Sequence, residues 1–336
     1  MLRTVLASMM AFAALSSAQA QSSDAFYAGK NLEIYAGSSA GAGYDLYARL
    51  MSRHIGKHLP GTPTIVVKNL AGAGGLRLAN WLYSVAPRDG LAIGTFGRGV
   101  AFESLLNPKS DSFDGRKFGW IGSVNDEVSV CVAWNSSGVA KFEDVFTKEL
   151  TVGSTGAGGD TFIFSTLLNG VLGAKLKIVS GYPGGNEISL AMERGEVQGR
   201  CGWSWSSLSA THAKWVEGGQ VRVLAQLGLA KHPDLPNVPL ALEFAKSDEQ
   251  RDSLRLVFAR QAMAWPFAAP PATPSARVQD LRKAFMAALN DPALLADAKK
   301  GGFEIRPVSG EQIDTMLGQA FQIPEAVVKR TAGMLK

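Results

Sequence analysis

Two heptapeptides of one pattern, S-x-G-A-G-x-D, constrain this chain more than any other feature: Ser39-Ala-Gly-Ala-Gly-Tyr-Asp45 and Ser154-Thr-Gly-Ala-Gly-Gly-Asp160. Each follows a short apolar run, Leu32–Tyr35 and Leu150–Val152, and each opens a segment of helical periodicity. A glycine-rich turn between strand and helix leaves backbone N–H groups unpaired at the positive end of the helix dipole. One such loop is a weak signal. Two of them, well separated in the chain, point to two α/β lobes that each aim an anion-attracting loop at a shared cleft.

The surrounding pattern supports this. Strands over 32–35, 64–68 and 91–96 alternate with helices over 45–59 and 76–85, a βαβαβ order that calls for parallel pairing and right-handed crossovers. Glycine-containing loops follow all three strands, at Gly37–Gly43, Gly72–Gly75 and Gly97–Gly99, and belong on one rim of the sheet. The middle third repeats the idea, with strands over 128–134, 150–152, 175–180, 197–202 and 221–227 and helices over 161–172 and 186–194. Connections near 119–126 and 227–236 read as crossings between lobes. Thr273 is expected as an N-cap with Pro274 at the first helical position, opening a helix that buries Val278, Leu281, Phe285 and Leu289. A single final helix is expected near 310–330. The expected architecture is α/β and two-lobed, a Venus-flytrap arrangement in which each lobe is a mainly parallel sheet flanked by helices. The expected division is lobe 1 over 21–122 plus 233–336 and lobe 2 over 123–232.

Residues 1–20 read as a secretory leader: Arg3 as the basic start, a short apolar stretch, and Ala18-Gln19-Ala20 as the cleavage signal. Cleavage after Ala20 places the mature chain in the periplasm, with no membrane insertion. Loss of Arg3 with the leader takes the formal charge from +5 to +4. So mild a charge, without basic runs interleaved with aromatics, argues against nucleic acid. Cys131 and Cys201 are the two cysteines, and the sequence leaves open whether they form a disulfide or remain two buried thiols. His54 and His58 share a helix face, but no third ligand accompanies them, so neither a metal nor a cofactor is expected. The signatures G-x-S-x-G, S-x-x-K with its partners, H-E-x-x-H and a P-loop are missing, which argues against an enzyme.

Several further strings resemble one family when taken together and in order. Asp45 with Ala48-Arg49 is similar to P-x-G-G-x-x-D-x-x-A-R, and Val67–Gly75 to V-E-N-x-x-G-A-G-G. Ala86–Gly90, Gly181–Gly185, Gly195–Gln198, Leu235–Pro239 and Ala268–Pro274 follow that family's later turns. The chain thus resembles the periplasmic solute receptors of tripartite tricarboxylate transporters, the Bug family. The resemblance implies capture of a small carboxylate, a di- or tricarboxylate or an aromatic acid, between two lobes, with the permease subunits of the transporter as partner. It implies a monomer. The alternative is a sensing protein whose closed form is read by a two-component sensor kinase. Carried over residue by residue, the ligand contacts are Ser38, Ser39, Ala40 and Gly41 on the first loop, Ala73 and Gly74 on the second, and Ser154, Thr155, Gly156 and Ala157 on the other lobe.

Seven residues each admit two roles. Asp45 and Asp160 would repel an anion, and each is expected to satisfy amides of its own loop and helix start, or else to accept from a ligand amine or hydroxyl. Arg98 is a candidate carboxylate clamp or a surface arginine. Tyr182 is a candidate rim contact or packs between lobes. The chain departs from the family at Arg200-Cys201-Gly202-Trp203-Ser204-Trp205, where many members place an aspartate. Arg200 is a candidate partner for a second carboxylate, and Trp203 or Trp205 a candidate stacking surface, against the alternative of an arginine in solvent and a core tryptophan.

Overall fold

The structure, a computed structural model, describes residues 26–107 and 113–335. The expected leader lies outside the described residues. Among the described residues, eleven strands form two sheets. The six-stranded sheet contains β1 (Asn31–Ala36), β2 (Thr64–Asn69), β3 (Ala92–Thr95), β4 (Gly119–Ser123), β10 (Pro266–Ala269) and β11 (Val308–Ser309), in the order β11-β4-β10-β3-β1-β2. The five-stranded sheet contains β5 (Ser129–Trp134), β6 (Leu150–Ser154), β7 (Leu176–Ser180), β8 (Gly199–Ser204) and β9 (Val221–Leu227), in the order β7-β6-β8-β5-β9.

Both sheets are mixed rather than mainly parallel. The βαβαβ start gives the parallel pairs β1–β2 and β1–β3. β10 then inserts antiparallel between β3 and β4, and β11 adds antiparallel to β4. In the second sheet β6 pairs parallel with β7 and β8, whereas β5 pairs antiparallel with β8 and β9. Returning segments of the chain reach the sheets from the opposite end, which the alternation of the first hundred residues does not announce. Gly119–Ser123, within the stretch expected as a crossing, is strand β4, second from one edge of the first sheet between β11 and β10.

The principal helices are α1 (Gly43–His54), α2 (Leu76–Ser84), α3 (Asp160–Leu167), α4 (Gly185–Glu193), α5 (Trp205–Glu217), α6 (Asp248–Phe258), α7 (Ser275–Leu289), α8 (Pro292–Lys300), α9 (Gly310–Ala320) and α10 (Glu325–Met334). α1 turns Tyr47, Leu50 and Met51 inward, and α7 buries Leu281, Phe285 and Leu289, the 3.6-residue stripes visible in the sequence. Each such side chain contributes about 1.5–3 kcal/mol of burial. Pro274, not Thr273, occupies the N-cap of α7, and the Thr273 hydroxyl instead donates to the Pro270 carbonyl at 2.8 Å. The expected single final helix is two, because Pro324, which lacks the N–H a continuing helix needs, starts α10 after a break.

The structure joins Cys131 and Cys201 by a disulfide across the neighbouring strands β5 and β8, where they are register partners. His54 and His58 pair separately with Asp297 on α8 and Asp291 at its N-cap, at 3.1 and 2.8 Å. No helix of the described residues is long and apolar enough to cross a membrane.

Candidate functional site

The carboxyl ends of the strands and the starts of several helices meet at a cavity of about 610 Å³, its open mouth included. Ala42, Gly43 and Tyr44 line it from the start of α1, Gly159, Asp160 and Thr161 from the start of α3, and Gly184 and Gly185 from the start of α4. None of these three helices has a side-chain cap at its N-terminus. Their first N–H groups thus face the cavity without a partner from the cap residue, and the three dipoles present positive ends to the same space. α5 begins there too, but its first amides are taken: Trp205 donates to the Val128 carbonyl at 2.9 Å and Ser206 to Glu127 Oε1 at 3.4 Å.

The sequence-predicted residues divide into three groups. Ser38, Gly74, Thr155, Asp160, Arg200 and Trp203 line the cavity. Asp45, Ser154, Ala73 and Gly156 lie just behind it and shape the loops. Asp45 accepts from the Gly41 amide at 2.7 Å, Arg49 at 2.8 Å and Asn69 at 2.9 Å, so its carboxylate faces its own loop. The Ser154 hydroxyl accepts from the Gly156 amide at 3.2 Å. The Ala73 carbonyl accepts from the Gly158 amide at 3.2 Å, a backbone hydrogen bond between the second loop and the repeated one.

Ser39, Ala40, Gly41, Ala157, Tyr182 and Arg98 do not line the cavity. The Ser39 hydroxyl donates to Glu187 at 2.9 Å, and the exposed Ala40 offers its carbonyl to Asn186 at 3.4 Å, so both tie the α1 loop to α4. The Gly41 amide is used by Asp45. Ala157 faces a different hollow, beside Phe102 and Arg260. Tyr182 leaves the rim position to Pro183 and packs against the core of the second sheet. Trp205 turns away, its indole donating to Asp234 at 3.2 Å.

Arg98 is neither a surface arginine nor a free clamp. It is 1% exposed, and its donors are spent on protein: Nε to Asp160 at 2.5 Å, Nη2 to Ser129 at 2.8 Å and Ser204 at 3.2 Å, Nη1 to the Ala264 carbonyl at 3.4 Å. Burial is the largest single influence and works against its charge, yet Asp160, Tyr44 and Glu127 together outweigh it and hold its pKa above the ordinary value. Asp160 also faces Arg260 at 3.7 Å. The expectation that Asp160 satisfies its own loop is therefore corrected. Asp45 has Arg49 one helical turn on, whereas the same offset from Asp160 falls on Phe164, and the carboxylate pairs instead with cations distant in sequence.

Arg200 occupies the opposite situation. It lines the cavity at 8% exposure, and among the described residues no carboxylate pairs with it. Its guanidinium lies over the Trp203 ring, 4.3 Å from the centroid, and burial lowers its pKa to about 9. Tyr44, Ser207 and Trp265 also line the site without a sequence signal to announce them. Trp265 stacks on Tyr47 at 4.4 Å between centroids and meets Tyr44 edge-on, which fixes the start of α1.

The loop contacts of Asp45 make one prediction. Burial opposes the charge of Asp45, but Arg49, the Gly41 amide and Asn69 outweigh it and hold the carboxyl below its ordinary 3.8. This stabilisation is fully present above about pH 4 and is lost as pH falls through the lower folded-state value. In Asp45→Asn the acid limb of the Tm–pH profile should flatten in that range. An unaltered limb would show that the carboxylate contributes nothing there.

The family model described as "Tripartite tricarboxylate transporter family receptor" matches residues 47–332. No curated protein matches the chain by sequence. Among solved structures, the periplasmic binding protein BugD is similar at 22% identity and a TM-score of 0.72, over 92% of this chain and 99% of that one. MatC from Rhodopseudomonas palustris, solved with bound malate, is similar at 21% identity and a TM-score of 0.71, over 89% and 99%. Rpa4515 of R. palustris, solved with adipate, is similar at 19% identity and a TM-score of 0.69, over 91% and 98%.

Proposed function

This chain belongs to the receptor family of tripartite tricarboxylate transporters, and from that premise we propose that it captures a small carboxylate for uptake. The ligand binds between two lobes in the periplasm and is delivered to the membrane permease of such a transporter. The observation that carries this is the convergence of three uncapped helix starts, those of α1, α3 and α4, on one cavity. Backbone amides at helix starts hold an oxyanion without a titrating base or nucleophile, which suits binding and release unchanged. MatC and Rpa4515, solved with malate and adipate, are consistent with such a ligand.

In this reading the first lobe is built on the six-stranded sheet and covers 21–122 plus 233–336. The second, 123–232, is built on the five-stranded sheet, and the leader 1–20 is removed on export. Ser38, Gly74, Thr155 and the amides at Gly43 and Asp160 contact the carboxylate directly. Asp45, Ala73, Ser154 and Gly156 hold the loops in shape.

The test is a thermal-shift screen of the mature chain against mono-, di- and tricarboxylates, aliphatic and aromatic, with amines and sugars as controls. A carboxylate at about a hundredfold its Kd should add about 2.7 kcal/mol, a shift of several degrees. Stabilisation by an amine or a sugar, with none from any carboxylate, would overturn the proposal.

A further inference from the structure

We propose that Arg200 reads a second anionic group on the same ligand, so that the receptor selects dicarboxylates over matched monocarboxylates and over amino acids. This rests on the carboxylate capture proposed above and assigns the far end of the ligand.

The buried cations in and behind the cavity wall are held in two ways. Arg98 and Arg260 share Asp160, at 2.5 and 3.7 Å, so their charge is compensated from within the protein. Arg200 has no such partner among the described residues. Among the described residues its guanidinium makes one hydrogen bond, from Nη1 to the Gly185 carbonyl at 3.2 Å. Its Nε is buried without an acceptor, and so is the indole Nε1 of Trp203, on whose ring the guanidinium lies. A buried, unpaired guanidinium costs several kcal/mol unless an anion is supplied, and here nothing in the wall supplies one. The ligand is therefore the counter-ion.

The direction of the free donors narrows its chemistry. With Nη1 engaged by Gly185, Nε and Nη2 are left without an acceptor among the described residues; Nη2 is the more open of the two, and with the enclosed Nε it makes the pair whose fork matches the two oxygens of a planar carboxylate. The start of α4 reaches the same place because residue 185 is glycine. A Cβ there would sit 2.7 Å from Nη2, so the missing side chain lets helix start and guanidinium address one anion together. A ligand ammonium gains little compensation here, because Asp160, the one carboxylate among the described lining residues, already faces two cations, Arg98 at its Oδ2 and Arg260 3.7 Å from its Oδ1.

The experiment is calorimetric titration of the mature chain with length-matched pairs, valerate against glutarate and butyrate against succinate, with glutamate as the zwitterionic probe. Wild-type protein should bind the dicarboxylate of each pair at least about 30-fold more tightly, the scale of a buried charge pair gained or lost. In Arg200→Gln that preference should collapse to within about threefold through loss of dicarboxylate affinity, with monocarboxylate affinity retained. Arg200→Lys, which keeps the charge without the fork, should retain part of the preference. Equal binding within each wild-type pair overturns the assignment of Arg200 and leaves carboxylate capture standing, and needs no variant to fold. Glutamate binding as tightly as glutarate also overturns it. Wild-type protein that binds no carboxylate overturns capture itself, and this inference with it.

Discussion

Asp160→Ala should destabilise the chain by about 3–5 kcal/mol, read as a lowered denaturant midpoint with the slope unchanged. Asp160 is the shared counter-ion of two of the most enclosed cations in the molecule, Arg98 at 1% and Arg260 at 0% exposure. Its loss leaves Arg98 with neutral partners, the Ser129 and Ser204 hydroxyls and the Ala264 carbonyl. Arg260, whose pKa burial already lowers, keeps the Val257 carbonyl and the Phe102 and Phe164 rings. Removing one member of a buried ionic group is costly because the remaining charges are stranded, whatever the group contributed as a whole. Asp160→Asn retains an acceptor for Arg98 and should fall between wild type and alanine. A loss below about 1 kcal/mol for Asp160→Ala would mean that water compensates the arginines and that the wall is not dry.

The second large effect is expected at Gly74, where the loop after β2 meets the repeated loop after β6. A Cβ on Gly74 would lie 2.0 Å from the Gly159 nitrogen and 2.6 Å from its Cα, and the residue has φ of +66°. Backbone cannot yield as a side chain does, so Gly74→Ala must push the two loops apart. That breaks the hydrogen bond from Gly158 to Ala73 and withdraws the start of α3 from the cavity. If holding the loops together then costs about 3 kcal/mol, carboxylate affinity falls about 100-fold. Gly138→Ala is the control, since Gly138 has a similar φ of +76° but nothing within 4 Å of the added Cβ. Its backbone strain should cost about 1 kcal/mol in stability and leave affinity untouched. Titration of Gly74→Ala with glutarate at wild-type affinity would show that the close approach of the loops plays no part in binding.

The sequence makes the cradle legible because its cause is local. Glycine spacing, the apolar run before it and the helical period after it are confined to a dozen residues, and the structure places both heptapeptides beside one cavity. Arg200 and Trp203 stand out as departures from a familiar pattern, and both line it. What escapes the sequence depends on contacts between remote segments. Arg98 meets Asp160 across 62 residues, and Trp265 reaches α1 from the far side of the chain. Strand β10 has few residues and no alternation, so only its insertion between β3 and β4 identifies it. The split between α9 and α10 is a different case: Pro324 carries that signal in the sequence, and the apolar period running through it conceals the break.

The order of strands in the first sheet bears on how the chain reaches its folded state. β3 and β4 are separated in space by β10, so Thr95 finds its partner Phe267 only once the chain has grown 172 residues further. β4 in turn is bordered by β10 and β11, both from the final quarter of the sequence. A polypeptide delivered from its amino end, by a ribosome or through a translocation pore, thus carries unpaired strand edges until almost its whole length has arrived. The second sheet draws all five strands from one continuous stretch and faces no such delay. Folding should therefore finish in the segment that began first, with slow closure of distant pairings as the last event. During that interval the waiting edges are the part of the nascent chain most exposed to wrong partners.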